Sequence, residues 1–237
     1  DGDDVLDLCL AQGDTHNALR IASSTPLVRH ELHSIAAAHV RKLLADDPPR
    51  AAAVCLKFCT NLAEWVAVFD NYDQLPGFAV LLPASEKRRL ARSVYDDVLE
   101  RLATRDGRAL LATIRAWGDP TCVDPPLYDA SIMADAFTTT HPEAAAELFV
   151  FARRPEKALQ TLLDVTDTSV ANETIRNLVE DHGLFDDVAR NAQRFVRAAR
   201  GAAALLFAAH PDVLPVDEIG EQLAGDDLKW YLLLCFE

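Results

Sequence analysis

Two histidines flank a glutamate in the run His30-Glu31-Leu32-His33, which comes close to the zinc-protease motif. That motif needs its second histidine four positions after the first, so that both lie on one face of a helix. Position 34 is Ser in this chain. The spacing therefore predicts no metal site here.

Two cysteines, Cys55 and Cys59, lie four positions apart and would share a helix face. No second pair is spaced to complete the four ligands of a structural zinc site. Because the neighbouring Leu56 and Phe58 are apolar, we expect both thiols to be buried. The five cysteines are dispersed and none forms a CxxC pair, which predicts reduced thiols in the cytosol.

Pairs of adjacent aspartates are the remaining candidates for acid and base chemistry. Adjacent residues on a helix diverge, so neither carboxylate can readily serve the other, and we expect caps, turns and solvated faces. No phosphate-binding glycine loop and no nucleophile elbow occurs. The sequence predicts no catalytic residue, no cofactor and no metal, and an enzyme is not expected. The pairs lie at 46–47, 96–97, 186–187 and 226–227.

The charge balance limits the partners. The chain has 237 residues and a net charge of -14, so it repels phosphate backbones and nucleic acid is not expected as a partner. No apolar run approaches the length of a membrane span, so direct membrane insertion is not expected either. Basic side chains cluster at 87–89 with Arg92, and again at Arg194, Arg197 and Arg200. We expect both clusters to be solvated helix faces rather than docking sites for an acidic partner.

Apolar residues recur with helical spacing through most of the chain, and prolines fall between the periodic segments. This pattern predicts about sixteen helices, arranged as hairpins, and no strand. Among them are long helices at 85–104, capped by Ser85, at 127–139 and at 184–200. The loop at 118–126 is the longest irregular stretch and a possible flexible point.

A cluster of small residues recurs early in the second helix of many hairpins, about 27 to 36 positions apart. Closely crossing helices need small side chains where their backbones approach. The repeat predicts an all-α fold, an α-solenoid of stacked antiparallel hairpins of the clathrin-heavy-chain or TPR-like type. A compact helical bundle is the alternative. We expect 1–237 to be one solenoid segment, and the missing initial Met and the apolar final run predict a fragment of a longer chain.

The tryptophans fall into two classes. Trp65 and Trp117 lie on apolar helix faces, and we expect them to be core anchors between hairpins. The third lies in the final helix, which is apolar nearly all round and should be covered on both sides. We therefore predict a stacking end that meets a further repeat or another copy. Its residues are Trp230, Tyr231, Leu233, Leu234 and Phe236.

The core and turn residues resemble a known family. The runs EWVAVF at 64–69, YDDVL at 95–99 and RDGRALLATIRAW at 105–117 are similar to the solenoid of the vacuolar protein sorting protein forty-one family. The likeness includes 74–75, 81–83, 127–133 and 182–188, reaches upstream to 3–8 and 30–35, and fades after about Arg200. Leu81 stands where the family tends to carry an aromatic residue, and 118–126 is diverged.

The resemblance implies a function that the residues alone do not give. Members of that family are subunits of the HOPS membrane-tethering complex, with a β-propeller before the solenoid and a RING-like zinc domain after it. The complex acts with a Rab-family GTPase and SNARE proteins at the late endosome, vacuole or lysosome. This segment would be a cytoplasmic, membrane-peripheral scaffold that binds other tethering subunits. A clathrin-like coat or adaptor solenoid, a peptide-binding adaptor with a concave polar or basic groove, and a helical enzyme are the competing hypotheses.

Overall fold

The structure is a computed structural model that describes residues 2–24, 29–84, 90–165 and 172–236. These residues form seventeen α-helices and two short 3-10 helices, and no strand occurs among them. The predicted all-α fold of helical hairpins is confirmed. The α-helices are α1 (Gly2–Ala11), α2 (Thr15–Ser24), α3 (Arg29–Asp46), α4 (Pro48–Phe58), α5 (Leu62–Asn71), α6 (Leu75–Leu81), α7 (Arg92–Arg105), α8 (Gly107–Trp117), α9 (Ala130–Phe137), α10 (Pro142–Phe151), α11 (Pro155–Leu163), α12 (Asn172–His182), α13 (Phe185–Arg190), α14 (Ala192–Ala198), α15 (Arg200–Ala209), α16 (Val216–Gln222) and α17 (Gly225–Phe236).

The helices group into two compact units. The first unit holds the described residues up to Gly118 together with Val123–Tyr128. The second unit holds Asp119–Cys122 and the described residues from Asp129 onward. The predicted flexible point at 118–126 contains a short 3-10 helix, Pro120–Cys122. A single solenoid segment with a flexible point there stays a prediction.

Four hairpins close with the same kind of turn. In each hairpin, a residue shortly after the end of the first helix has a positive φ. These residues are Gly13, Asp73, Arg153 and Gly183. The next residue then donates its N–H to the carbonyl five positions back, at 2.8 to 3.0 Å, as Gln74 does to Phe69. This is the Schellman arrangement, which satisfies carbonyls at the end of a helix. This recurring turn is the structural feature that corresponds to the repeat of small residues in the sequence.

A second kind of turn consists of a single residue between two helices. Asp106 has φ -150, ends α7 through its N–H to Leu102, and begins α8 through its carboxylate. That carboxylate accepts hydrogen bonds from the backbone N–H groups of Arg108 and Ala109. Ala199 has a similar backbone, with φ -140, between α14 and α15. One non-helical residue is therefore enough to end one helix and begin the next.

Three predicted long helices are wrong in their extent. The helix at 85–104 begins only at Arg92, because Ala91 is extended; Ser85 and the basic run 87–89 lie outside the described residues. The helix at 127–139 begins at Ala130, capped by Asp129. The helix at 184–200 is broken at Asn191, whose side-chain amide donates to the Asp187 carbonyl at 3.0 Å. Local side-chain to backbone bonds of this kind compete with a continuous helix.

The small residues of the repeat are buried at helix contacts. Helix α3 packs on α4, and α10 packs on both α9 and α11. An alanine at such a crossing lets the two backbones approach without a cavity. The buried alanines of the repeat include Ala18, Ala51, Ala52, Ala79, Ala144, Ala145, Ala158, Ala202 and Ala203.

Trp117 joins two hairpins of the first unit. It is buried at the end of α8, and its indole N–H donates to the Ala79 carbonyl in α6 at 2.8 Å. Its ring meets Tyr95 of α7 edge-on at 5.4 Å and Tyr128 at 5.8 Å. Trp65 is buried in α5. Both tryptophans are buried, as predicted, and Trp117 is confirmed as a core anchor between hairpins.

The hydroxyl of Thr113 is a weak point in α8. The residue is fully buried, and its Oγ1 has no hydrogen-bond partner among the residues that the structure describes. Thr113→Val is expected to raise the free energy of unfolding by about 1 kcal/mol, because an unpaired buried hydroxyl is removed at nearly constant volume. Urea denaturation followed by circular dichroism measures the change.

The matched control is Thr161→Val in α11, where Oγ1 donates to the Lys157 carbonyl at 2.8 Å. That substitution removes a hydrogen bond, so it should not stabilise the chain. Equal stabilisation by both variants would contradict the assignment of Thr113.

His39 is a buried histidine of the first unit. Its Nδ1 lies 2.8 Å from the Thr15 hydroxyl, and its ring centroid lies 5.6 Å from that of His16. Burial, followed by the neighbouring His16, Arg50 and Lys42, holds the pKa of His39 below its ordinary value of 6.5. The folded chain therefore favours the neutral imidazole more than the unfolded chain does.

The free energy of unfolding is expected to fall as the pH is lowered from about 7.5 to about 5.5. In the unfolded chain His39 has its ordinary pKa of 6.5 and binds a proton more readily than in the folded chain. Protonation below about pH 6.5 therefore favours unfolding. Above that pH the stabilisation that depends on a neutral His39 is fully present. Urea titrations at both pH values measure the difference, and His39→Asn should reduce it. An unchanged pH dependence in that variant would show that His39 is not its source.

Candidate interaction surface

Helix α17 is anchored by a buried carboxylate. Asp227 Oδ2 accepts hydrogen bonds from Gln193 Nε2 at 2.5 Å and Arg197 Nε at 3.0 Å, and Oδ1 accepts one from Arg200 Nη2 at 2.5 Å. The bond from Arg197 contributes most to holding the pKa of Asp227 below its usual range. The sequence predicted a cap, a turn or a solvated face for this aspartate. The prediction of a solvated face is wrong, because Asp227 is buried. Its partners lie 27 to 34 positions away, so no local pattern marked it.

A similar anchor lies in the first unit. Asp70, buried in α5, pairs with Arg101 Nη1 at 3.0 Å and with Arg105 Nε at 2.9 Å, both from α7. Arg101 also binds Asp97 one turn earlier on its own helix. Asp70 was likewise missed from the sequence, because its partners come from a helix two elements away. Each unit thus uses one buried aspartate to hold two arginines.

The predicted stacking end divides into inward and outward residues. Tyr231 is 1% exposed and packs edge-on against Phe207 of α15, with ring centroids 5.2 Å apart. It belongs to the core of its own unit and is not available to a partner. Trp230 is half-buried, with the Arg200 guanidinium 5.2 Å from its ring centroid. This cation–π contact ties Trp230 to the Asp227 anchor.

The outward face of α17 is apolar. Leu233 is 67% exposed, and Leu232, which the sequence analysis did not single out, is exposed as well. Leu234 is half-buried, and the side chain of Phe236 lies outside the described ones. The structure therefore leaves Leu232 and Leu233 on a part of the surface of α17 that nothing described in this chain covers fully. Exposed apolar patches of this kind are typical of interaction sites.

Cys55 and Cys59 are buried, as predicted. The Nδ1 atom of His33 lies in contact with the Phe58 carbonyl, and the side chain of His30 lies outside the described ones. Within the described residues no group of three or more histidine, cysteine or acidic side chains could hold a metal ion. No described helix is both long and apolar enough to span a membrane.

Comparison with known proteins gives one family. The model of the Vps41 TPR-like region matches residues 34–236, whereas the residues quoted above for the resemblance begin further upstream and fade after about Arg200. Searches of curated proteins and of solved structures return no match. TPR-like solenoids are generally structural scaffolds rather than enzymes. The matched span takes in the first unit from Ser34 onward and the described residues of the second unit, with both aspartate anchors and the whole of α17, and the chain therefore belongs to the family of the Vps41 TPR-like region.

Proposed function

We propose that this chain is a scaffold segment of a HOPS-like membrane-tethering complex in vesicle-mediated protein transport. The observation that carries the proposal is the family match over residues 34–236. The direct partners are other tethering subunits, and the segment reaches a Rab-family GTPase and SNARE proteins only through them. Its place is the cytoplasmic side of the late endosome, vacuole or lysosome, as a peripheral component and not an enzyme.

The packing of the chain supports a scaffold role. The largest side chains and the conspicuous polar anchors, Asp70 and Asp227, hold helices to one another. Burial of apolar surface between neighbouring hairpins stabilises such a solenoid by about 25 cal/mol per Å². Binding then takes place on exposed surface rather than in a deep polar site.

The outward face of α17 is our proposed contact with the rest of the assembly. Its described side chains are Trp230, Leu233 and Leu234 from the predicted stacking end, with Leu232 added, whereas the side chain of Phe236 lies outside the described ones. Tyr231 is left out because it is buried. Apolar side chains with this exposure lose contact with water when a further hairpin or another subunit packs on them.

The test uses the purified chain as bait for separately purified tethering subunits. At least one subunit should be retained, and Leu233→Asp should weaken retention because a carboxylate would enter the apolar contact. Ile132→Asp is the matched control, since Ile132 is also exposed on the second unit but lies in α9. Retention of no subunit by the wild-type chain would overturn the tethering role. Equal retention of the subunit by Leu233→Asp and Ile132→Asp would contradict the proposed α17 contact but not the tethering role.

A clathrin-like coat is the second candidate, and it makes a different prediction. A coat solenoid polymerises by itself, whereas a tethering scaffold binds different subunits in fixed proportion. Light scattering of the chain without partners separates them. Growth of large polymers with rising concentration would favour the coat.

A further inference from the structure

A groove of the second unit carries three arginines, Arg190, Arg194 and Arg197, the last two from the stripe that the sequence predicted to be a solvated face. The groove has a volume of about 640 Å³ and lies between the end of α11, the helices α13 and α14, and the end of α16. Its lining includes Leu163, Asp164 and Val165 together with Arg190, Arg194 and Arg197. From this arrangement we infer that the groove binds a short, extended, acidic segment of a partner protein.

The three guanidinium groups are held in place from within the chain. Arg190 pairs with Asp187 at 3.1 Å, and Arg197 pairs with Asp227 at 3.0 Å. Arg194 is paired with Asp164. A guanidinium has five N–H donors, so these pairs leave donors that can turn toward a ligand. Because the side chains are already fixed, less conformational entropy is lost on binding.

The arginines are also accessible. Their side chains are 71%, 45% and 66% exposed for Arg190, Arg194 and Arg197 respectively. They stand out on a chain with a net charge of -14, where an acidic partner meets repulsion over most of the surface. Bidentate contact with carboxylates is the interaction that this side chain favours.

Two of the groove arginines match the spacing of an extended ligand. Arg194 and Arg197 lie three residues apart on α14, so their Cβ atoms are about 5–6 Å apart, while Arg190 ends α13 before the break at Asn191. Side chains on one face of an extended segment repeat every second residue, about 6.6 Å apart. Arg194 and Arg197 therefore fit carboxylates at alternate positions of such a segment. A groove between helices suits a peptide better than a flat membrane surface.

The test measures binding of a fluorescent peptide with glutamate at alternate positions, compared with the same peptide carrying glutamine. Fluorescence anisotropy with the whole chain should show saturable binding of the glutamate peptide only, weakened by added salt. The double variant Arg190→Ala/Arg194→Ala should weaken it at least about tenfold. Arg197 is left unchanged because it also anchors Asp227.

The matched control is Arg153→Ala. Arg153 is 81% exposed, belongs to the same unit, pairs with Asp119 and lies outside the groove. It should bind the peptide as the wild type does, and circular dichroism confirms that every variant is folded. Equal binding of the two peptides, an unaffected double variant, or the same loss in Arg153→Ala would overturn the inference. So would binding of phosphatidylserine vesicles without binding of the peptide. The assay contains no tethering subunit, so its outcome is independent of the proposed tethering role.

Discussion

Trp117→Ala is expected to lower the free energy of unfolding by about 3–5 kcal/mol, the range for truncating a large buried aromatic residue. The substitution removes the contacts with Tyr95 and Tyr128 and leaves the Ala79 carbonyl without its indole donor. Three segments of the first unit lose a common contact at once. Urea denaturation followed by circular dichroism at the helix band measures the loss.

Trp117→Phe separates the two contributions. It keeps an aromatic ring next to Tyr95 but cannot donate to the Ala79 carbonyl, so we expect a smaller loss of about 1–3 kcal/mol. A loss below about 1 kcal/mol in the alanine variant would contradict the role of Trp117 as a pin between hairpins.

Tyr231→Ala is expected to cost about 3–5 kcal/mol in the second unit, because the buried ring packs edge-on against Phe207. Leu233→Ala, two positions further on the same helix, should change the free energy of unfolding by less than about 0.5 kcal/mol, since Leu233 faces outward. The same urea experiment measures both. Two small and similar effects would mean that Tyr231 is not part of the core.

The hairpins and their tryptophan anchors could be predicted because their sequence signals are local. Helical periodicity, prolines between segments and recurring alanines are all visible within one hairpin. Trp65, Trp117, Cys55 and Cys59 lie among apolar neighbours in the sequence, and the structure buries all four. The same local packing residues carry the resemblance that the family match confirms.

Features that depend on distant partners could not be predicted. Asp70 and Asp227 resemble other aspartates near helix ends, and only the fold brings arginines about 30 positions away to them. Tyr231 faces inward because it packs on Phe207 in α15. The sequence does not show that contact, so the apolar run around Tyr231 was predicted to be one continuous surface. Arg194 and Arg197 look like part of a solvated stripe because their counter-charges, Asp164 and Asp227, lie about 30 positions away.

Packed hairpins, rather than a chemical site, enable this chain to bind the tethering subunits that we propose as its partners. The most direct measurement is binding of purified tethering subunits to the wild type, Trp117→Phe and Trp117→Ala at a temperature where circular dichroism gives the folded fraction of each. We predict that the bound fraction follows the folded fraction across the three proteins. Equal binding by a Trp117→Ala chain that is largely unfolded, or no binding by the folded wild type, would contradict the account.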